Sequence, residues 1–455
     1  MSGRALCVLT VAATLVAASR AQDWRSVHLA TFDEVWTTID TTFYDPAFGG
    51  LDWAAVRDEL RPRAEAAASA DEVRRVIREM LARLKRSHFV LLSPSSTVDA
   101  LPGPLRVPID VRVIGAELVI TRVTSDAAAA AGLAPGQAIR RIDGRGVADL
   151  MTPGEGVSGR ARVVDMWRRA DRALHSADAS AASLRIHRPD GAERIVNVRR
   201  EPVASEVITL GNLPPLAVRF AVEERRTPAG GRAGVIGFNI WLAQIGDRFA
   251  AAVDRFRDAD GMVIDLRGNP GGLAAMMSGI AGHFFDDRAL LGVMQTRPAR
   301  LEFRANPQRS TADGRAVVPY AGRVAILVDE LTASASETFA AGMQSLGRAR
   351  IFGAQTMGQA LPASTRRLPN GDVLMHAVGD FVTSTGRSVE GDGVLPDEPI
   401  TVSREALAAG RDPALDAALA WIDRGLLPRL TLVAMLQAPA RHALPSAFVG
   451  RVRPR

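Results

Sequence analysis

The chain has 455 residues, 47% hydrophobic and 23% charged, with a formal net charge of +6. That length exceeds one compact core and the balance is that of a globular protein, so two or three domains are expected. The lone cysteine, Cys7, excludes a thiol nucleophile, disulfides and thiolate metal sites from the rest of the chain, and the absence of a basic cluster interleaved with aromatics argues against nucleic-acid binding.

In chain order, Arg4, an apolar stretch over residues 5–18 and the small residues Ser19 and Ala21 read as a secretory leader over 1–21, cut after Ala21. The stretch is too short to cross a bilayer comfortably, and no later segment is long and apolar enough to do so. The expectation is an exported chain, periplasmic or extracellular, with no stable membrane insertion after leader cleavage. Residues 22–98 follow as a helical domain. Phe32, Val35, Trp36, Ile39 and Phe43 share one helical face. Asp45-Pro46 and Gly49-Gly50 interrupt it, and Ser69-Ala70-Asp71-Glu72 opens a second helix with a capping box. Val73, Val76, Ile77, Met80, Leu81 and Leu84 line the buried side of that helix, and the segment closes on Ser87-His88-Phe89. Continued to His88, the helix would point the imidazole inward.

Residues 99–202 change period. Runs at 117–121, 138–142 and 183–186 are β-rich, Asp143-Gly144 and Asp190-Gly191 mark turns, and Asp126 to Ala131 fits a short helix. This is a small separate domain. A Gly- and Pro-containing connection leads into the alternation of strand and helix that predicts an α/β core over 203–426. Val235–Phe238, Met262–Leu266 and Val324–Val328 are its strands, the last two continuous apolar runs of the fully buried kind. Helices are expected at 244–257, after Ala333 and at 413–424. Residues 427–455 form a Pro-, Ala- and Arg-rich tail.

Two sharp turns follow buried strands. One is Leu266-Arg267-Gly268-Asn269-Pro270-Gly271-Gly272, the other Thr332-Ala333-Ser334-Ala335-Ser336-Glu337. A small-residue turn at a helix start exposes a serine Oγ and leaves backbone N–H groups unpaired, ready for a tetrahedral oxyanion. A Gly-Gly turn lets a second N–H approach because no Cβ blocks it. Read alone, Ser334 with Glu337 is also a capping box. Asp265 reads as a structural acceptor before the first turn. No metal-ligand spacing and no phosphate-binding loop stands out, so neither metal nor cofactor is expected.

These turns, with Gly353 to Gly358, Leu368-Pro369-Asn370-Gly371 and Glu390-Gly391-Asp392-Gly393-Val394-Leu395-Pro396-Asp397, resemble tail-specific (C-terminal-processing) serine peptidases. The resemblance implies a crotonase-like catalytic core, polypeptide substrates and Ser334 as nucleophile. Ala130 to Gln137 with Ile142-Asp143-Gly144 looks like the centre of a PDZ module, though Val107-Pro108-Ile109-Asp110 lacks a clear glycine-rich carboxylate loop. The best-known members use a lysine base where this chain has Gln359. Lys85 is the only lysine in the chain, so a Ser-Lys dyad is ruled out by composition. The tricorn-like branch uses a Ser-His-Ser-Glu tetrad instead, and Ser87-His88 and Glu390 stand at matching places. The resemblance therefore implies His88 as base, Ser87 and Glu390 as its orienting groups, and Gly271 and Ala335 as oxyanion donors. Ser336 is a second candidate nucleophile and His376 a second candidate base. With His88 as base, kcat/KM is expected to rise through roughly pH 6–7.5 as its imidazole deprotonates. The competing expectation is a catalytically silent member of the family that holds polypeptide or lipid.

Overall fold

A computed structural model describes residues 24–93, 103–154, 159–202, 206–209, 216–311 and 313–424. The expected leader with Cys7 and the expected tail over 427–455 lie outside them.

Three helices open the fold: α1 (24–42), α2 (Trp53–Glu65) and α3 (Ala70–Ala82). Asp52 caps α2 through the Ala55 N–H, and Ser69 caps α3 through the Glu72 N–H. Their apolar faces meet around Phe32, Leu60, Ile77 and Met80, a core that also takes in Leu368 and Leu374 from far along the chain. The chain then enters strand β1 (Val90–Leu92). Helix α3 stops at Ala82, short of Leu84, and the residues after it turn sharply: Lys85 has φ +51° and His88 φ +64°. His88 therefore sits in the turn before β1 and not on the buried face of a longer helix.

Strands β2 (Ile109–Ile114), β3 (Glu117–Val123) and β4 (Ala138–Ile142) come next. Helix α4 (Gly159–Ala173) separates them from β5 (Ala181–His187) and β6 (Glu193–Arg199). The five strands form an antiparallel sheet in chain order, closed over its own core by α4. A one-turn helix at Asp126–Ala130 lies where expected. Helix α4 was not expected, because its Arg-rich sequence masks a narrow apolar stripe.

A second, mostly parallel sheet holds β7 (Phe220–Arg226), β8 (Arg232–Phe238), β9 (Gly261–Asp265), β12 (Arg323–Val328), β13 (Ala349–Gly353) and β17 (Glu398–Pro399), in that spatial order; only β7 runs antiparallel to its neighbour. Between these strands lie α5 (Ala243–Arg255), α6 (Met276–Ala281) and the hairpin β10 (Leu290–Thr296)–β11 (Arg300–Arg304), then α7 (Ala335–Ser345), β14 (Ala363–Arg367), β15 (Val373–Ala377) and β16 (Gly379–Thr383). Helices α8 (Arg404–Ala408) and α9 (Pro413–Asp423) end the described chain. Alternate strand residues go to opposite faces: Met262, Ile264, Val324 and Ile326 pack with α5, α6 and α7, whereas Val263, Ala325 and Leu327 pack under α9. Both faces are covered, which is why these strands read as unbroken apolar runs. The fold is mixed α/β, as expected. Strand β1 pairs antiparallel with β15, Val90 opposite Met375, and so carries the turn before it onto the α/β core.

Candidate active site

The two sharp turns meet at the ends of β9 and β12. Asp329, the first residue after β12, accepts from Gly268 N–H at 2.8 Å and from Leu331 N–H at 3.1 Å. Thr332 Oγ1 donates to Leu266 O, and Ala333 N–H donates to Asn269 O. The turns are therefore one hydrogen-bonded unit. A Cβ added to Gly271, which has φ +100°, would lie 2.5 Å from Ser334 Cβ and 2.9 Å from Ala335 N. Only glycine lets this backbone come so close to the serine.

Ser334 has φ +53° and ψ −122°, outside the extended region of an ordinary N-cap. Glu337 closes the turn from the other side, its Oε2 accepting the Ser334 N–H at 3.1 Å. From Leu331 to Met343 every residue is buried except Ser334. The Ala335 N–H, at the open end of α7, makes no hydrogen bond among the described residues. The Gly271 N–H is not free: it donates to Asn269 Oδ1 at 2.9 Å. This corrects the expectation of Gly271 as a ready donor. The cause is local, since the Asn269 side chain folds back over its own turn, anchored by Nδ2 on Phe238 O. Gly272 is the member of the glycine pair whose N–H has no partner among the described residues.

Ser87, His88 and Glu390 are brought together. His88 Nδ1 lies 2.7 Å from Ser87 Oγ, which donates to Glu390 Oε2 at 2.8 Å; Glu390 Oε1 accepts the Ser87 N–H at 2.9 Å. Because the Ser87 hydroxyl spends its one proton on the carboxylate, it can only accept from Nδ1–H. That fixes the tautomer and leaves the Nε2 lone pair open. Burial pushes the His88 imidazole down to about 4, so it is neutral at neutral pH. Among the described residues only five non-glycine positions have positive φ, and His88 and Ser334 are two of them. Both candidates thus sit in turns that most residues avoid.

No hydrogen bond joins His88 to Ser334 among the described residues, but a single peptide unit links their surroundings. The Gln359 carbonyl accepts the Ser334 N–H at 2.8 Å, and the Ala360 N–H of the same unit donates to Glu390 Oε2 at 2.9 Å. Gln359 takes part here through its backbone.

The other candidates lie elsewhere in the network. Ser336 is fully buried and accepts from Trp241 Nε1 at 2.8 Å, which makes it a core residue. His376 is buried on β15 with Nδ1 3.1 Å from Thr42 Oγ1. Asp265 accepts from Arg267, as a structural acceptor would. Sequence reasoning missed Asn269 and saw Glu337 only as half of a cap. Among the described residues no group of three or more His, Cys, Asp or Glu could hold a metal ion, and no helix is long and apolar enough to cross a membrane.

With this geometry in place, comparison with known proteins becomes informative. Residues 232–400 match peptidase family S41, and residues 21–82 match the tricorn protease C1 domain. A carboxyl-terminal-processing protease of a Picosynechococcus strain is 26% identical over 378 residues, covering 81% of this chain and 82% of that protein. Tricorn protease homolog 2 of Streptomyces coelicolor is 27% identical over 435 residues; the match covers 88% of this chain but only 32% of that protein, about a third of its length. Among solved structures, a photosystem II D1 C-terminal processing protease superposes with TM-score 0.54 at 21% identity, covering 86% of this chain and 97% of the other. Mature CPAF superposes with TM-score 0.60 at 13% identity, covering 90% and 98%. These two likenesses establish a shared fold. The two domain matches, taken with the carboxyl-terminal-processing relatives, lead to one conclusion: the chain carries a peptidase family S41 domain over residues 232–400 and is a serine-type peptidase.

Proposed function

We propose that the chain is an exported endopeptidase that cuts unfolded or C-terminal polypeptide with Ser334 as nucleophile and His88 as general base. Ser334 Oγ attacks the scissile carbonyl carbon while its proton passes to His88 Nε2. The carbonyl oxygen, now negative, is held by the Ala335 N–H and by an N–H of the glycine turn. Gly272 is the open donor there, with Gly271 committed to Asn269. Ser87 and Glu390 hold the imidazole and stabilise the imidazolium that forms. The intermediate collapses, His88 gives its proton to the leaving amine, and an ester to Ser334 remains. Water, deprotonated by His88, attacks that ester through a second tetrahedral intermediate, and the acid leaves with Ser334 restored. The missing His88–Ser334 bond is no obstacle, because such bonds often tighten only when substrate is bound.

The observation that carries this reading is the hydrogen-bond chain from His88 through Ser87, Glu390 and the Gln359–Ala360 peptide unit to Ser334. Export rests on the leader composition. We also propose the domain division helical 22–98, PDZ-like 99–202 and crotonase-like 203–426; three apolar clusters among the described residues support it, although the helical one also takes in Leu368 and Leu374.

A serine-directed fluorophosphonate tests the reading. Wild type should be labelled at Ser334, and Ser334→Ala should lose both the label and peptidase activity. His88→Ala should lose activity to a similar extent, at least about a thousand-fold, because cooperating groups are not additive. Peptidase activity unchanged in Ser334→Ala would reject the assignment. An unlabelled wild type without activity would favour a silent binding protein.

A further inference from the structure

Glu337 has no exposed surface, yet four donors converge on it. Oε1 accepts from Thr356 Oγ1 and from Gly358 N–H at 2.6 Å; Oε2 accepts from Gln359 N–H at 3.0 Å and Ser334 N–H at 3.1 Å. Three of the four donors belong to the loop 356–359 and the fourth to the nucleophile turn. The same loop is fastened to the turn that bears Glu390. Gly391 N–H donates to Gly358 O at 2.9 Å, Val394 N–H to Thr356 Oγ1 at 2.7 Å, Gln355 Nε2 to Asp392 O at 2.7 Å, and Ala360 N–H to Glu390 Oε2. The approach is too close for side chains, since a Cβ on Gly358 would lie 2.4 Å from Gly391 O. The loop therefore has two anchorages, one on Glu337 and one on the Glu390 turn, and the Gln359–Ala360 peptide unit lies between them.

Resting on the reading of Ser334 and His88 given above, we propose that Glu337 is a positioning residue for peptide hydrolysis: it clamps loop 356–360 so that the Gln359–Ala360 peptide unit holds the nucleophile turn in register with Glu390, Ser87 and His88. On that reading the base comes from residues far upstream of the nucleophile. Something must then fix the distance between two groups of distant origin, and a small error in that distance is costly to an attack that needs near-contact geometry. A carboxylate suits the task because it accepts on both oxygens, in fork geometry, from donors on two segments at once. Burial pushes its carboxyl up to about 7 even though all four donors favour the charged form.

The test compares Glu337→Gln with wild type in three readouts: the folded fraction, the number of active sites titrated by a fluorophosphonate, and the turnover per titrated site. An amide can accept on only one oxygen and turns an NH2 group toward N–H donors. The expected result is a folded protein with a full count of titratable sites, kcat per site lowered about 30-fold or more, and KM within about threefold of wild type. A merely structural role would lower the count of sites and leave the rate per site intact, and that result would overturn the proposal. Thr356→Val and Thr356→Ser form a second pair that decides the matter if Glu337→Gln does not fold. Valine removes a donor to the clamp and should lower kcat per site about tenfold, and serine, which keeps the hydroxyl, should restore most of it. Equal rates in all three Thr356 forms would also overturn it. Failure of wild type to label at Ser334 would instead sink the underlying reading, so the two failures are distinguishable.

Discussion

His88 and Ser334 owe their properties to backbone turns as much as to chemical type. Both have positive φ, and both are fixed by neighbours that share a carboxylate or a peptide unit with them. For His88 the consequence is electrostatic. The ring donates Nδ1–H to Ser87, but Glu390 sits one hydroxyl away, and burial wins over that distant charge. With the imidazole pushed down to about 4, the base form persists at neutral pH and is lost only as the pH falls toward 4. The rise in activity through pH 6–7.5 expected for an ordinary imidazole should not come from His88. An acid limb in that range would belong to Glu337, whose carboxyl is pushed up to about 7. The direct measurement is a ring-proton NMR titration, with the His88 signal assigned by its loss in His88→Asn. A midpoint near 4 is expected; one near ~6.5 would return the ring to water. The identities of Ser87, His88 and Glu390 were legible because each lies in a short motif. The shift was not legible, because it depends on burial, which has no local sequence signal; even the Glu390 carboxylate that Ser87 meets lies 303 positions along the chain. The loss of Gly271 as a donor was hidden for a different reason: it depends on one rotamer of Asn269.

Among the elements, the buried strands and the capped helix α3 announced themselves. Ser69 caps as its spacing suggests, whereas helix α2 with its Asp52 cap was not expected, and β9 and β12 are apolar because helices cover both faces. Helix α4 is the instructive miss. Its arginines hide two residues that matter, Val164 and Trp167, which pack against Leu331, Ala333 and Met357 beside the nucleophile turn. Trp167 Nε1 also donates to Val111 O at 3.0 Å, across to strand β2. One side chain thus closes the small β-rich domain and buttresses the turn before Ser334. Trp167→Ala should cost about 2–4 kcal/mol, from lost packing and a lost hydrogen bond to Val111 O, which keeps Arg112 Nη1 as a donor, and should lower kcat more than it raises KM. Trp167→Phe keeps most of the packing and should cost only about 1 kcal/mol. Urea unfolding midpoints with steady-state kinetics check both. Equal losses for the two variants would shift the credit from the ring to the hydrogen bond.

At the scale of the whole molecule, the site exists only when three regions are docked. Ser87 and His88 arrive with the N-terminal helices, Ser334 and Glu390 with the α/β core, and Arg112 of β2 reaches across to Asp329 at 2.7 Å. Motif order along the sequence indicated which residues to collect, but register between distant segments has no local signal. The register of the first region is set by β1 on β15 and, one strand-end away, by Arg74 with Asp372. That pair is bidentate, at 2.8 and 3.1 Å, and Asp372 is 1% exposed. Removing one partner of such a pair is worse than removing both, because the survivor keeps its desolvation cost without its counter-charge. Arg74→Ala should therefore cost about 3–5 kcal/mol and lower kcat, since the strand that positions His88 loses its tie to the core. The double variant Arg74→Met with Asp372→Asn should recover most of the stability, with Asn370 still able to donate to the amide oxygen. Chemical denaturation of the two variants decides it. A loss under about 1 kcal/mol in the single variant would mean that water reaches Asp372 and relieves the stranded charge, leaving side-chain packing around Leu368 and Leu374 to hold the N-terminal helices, and the His88 turn with them, against the core.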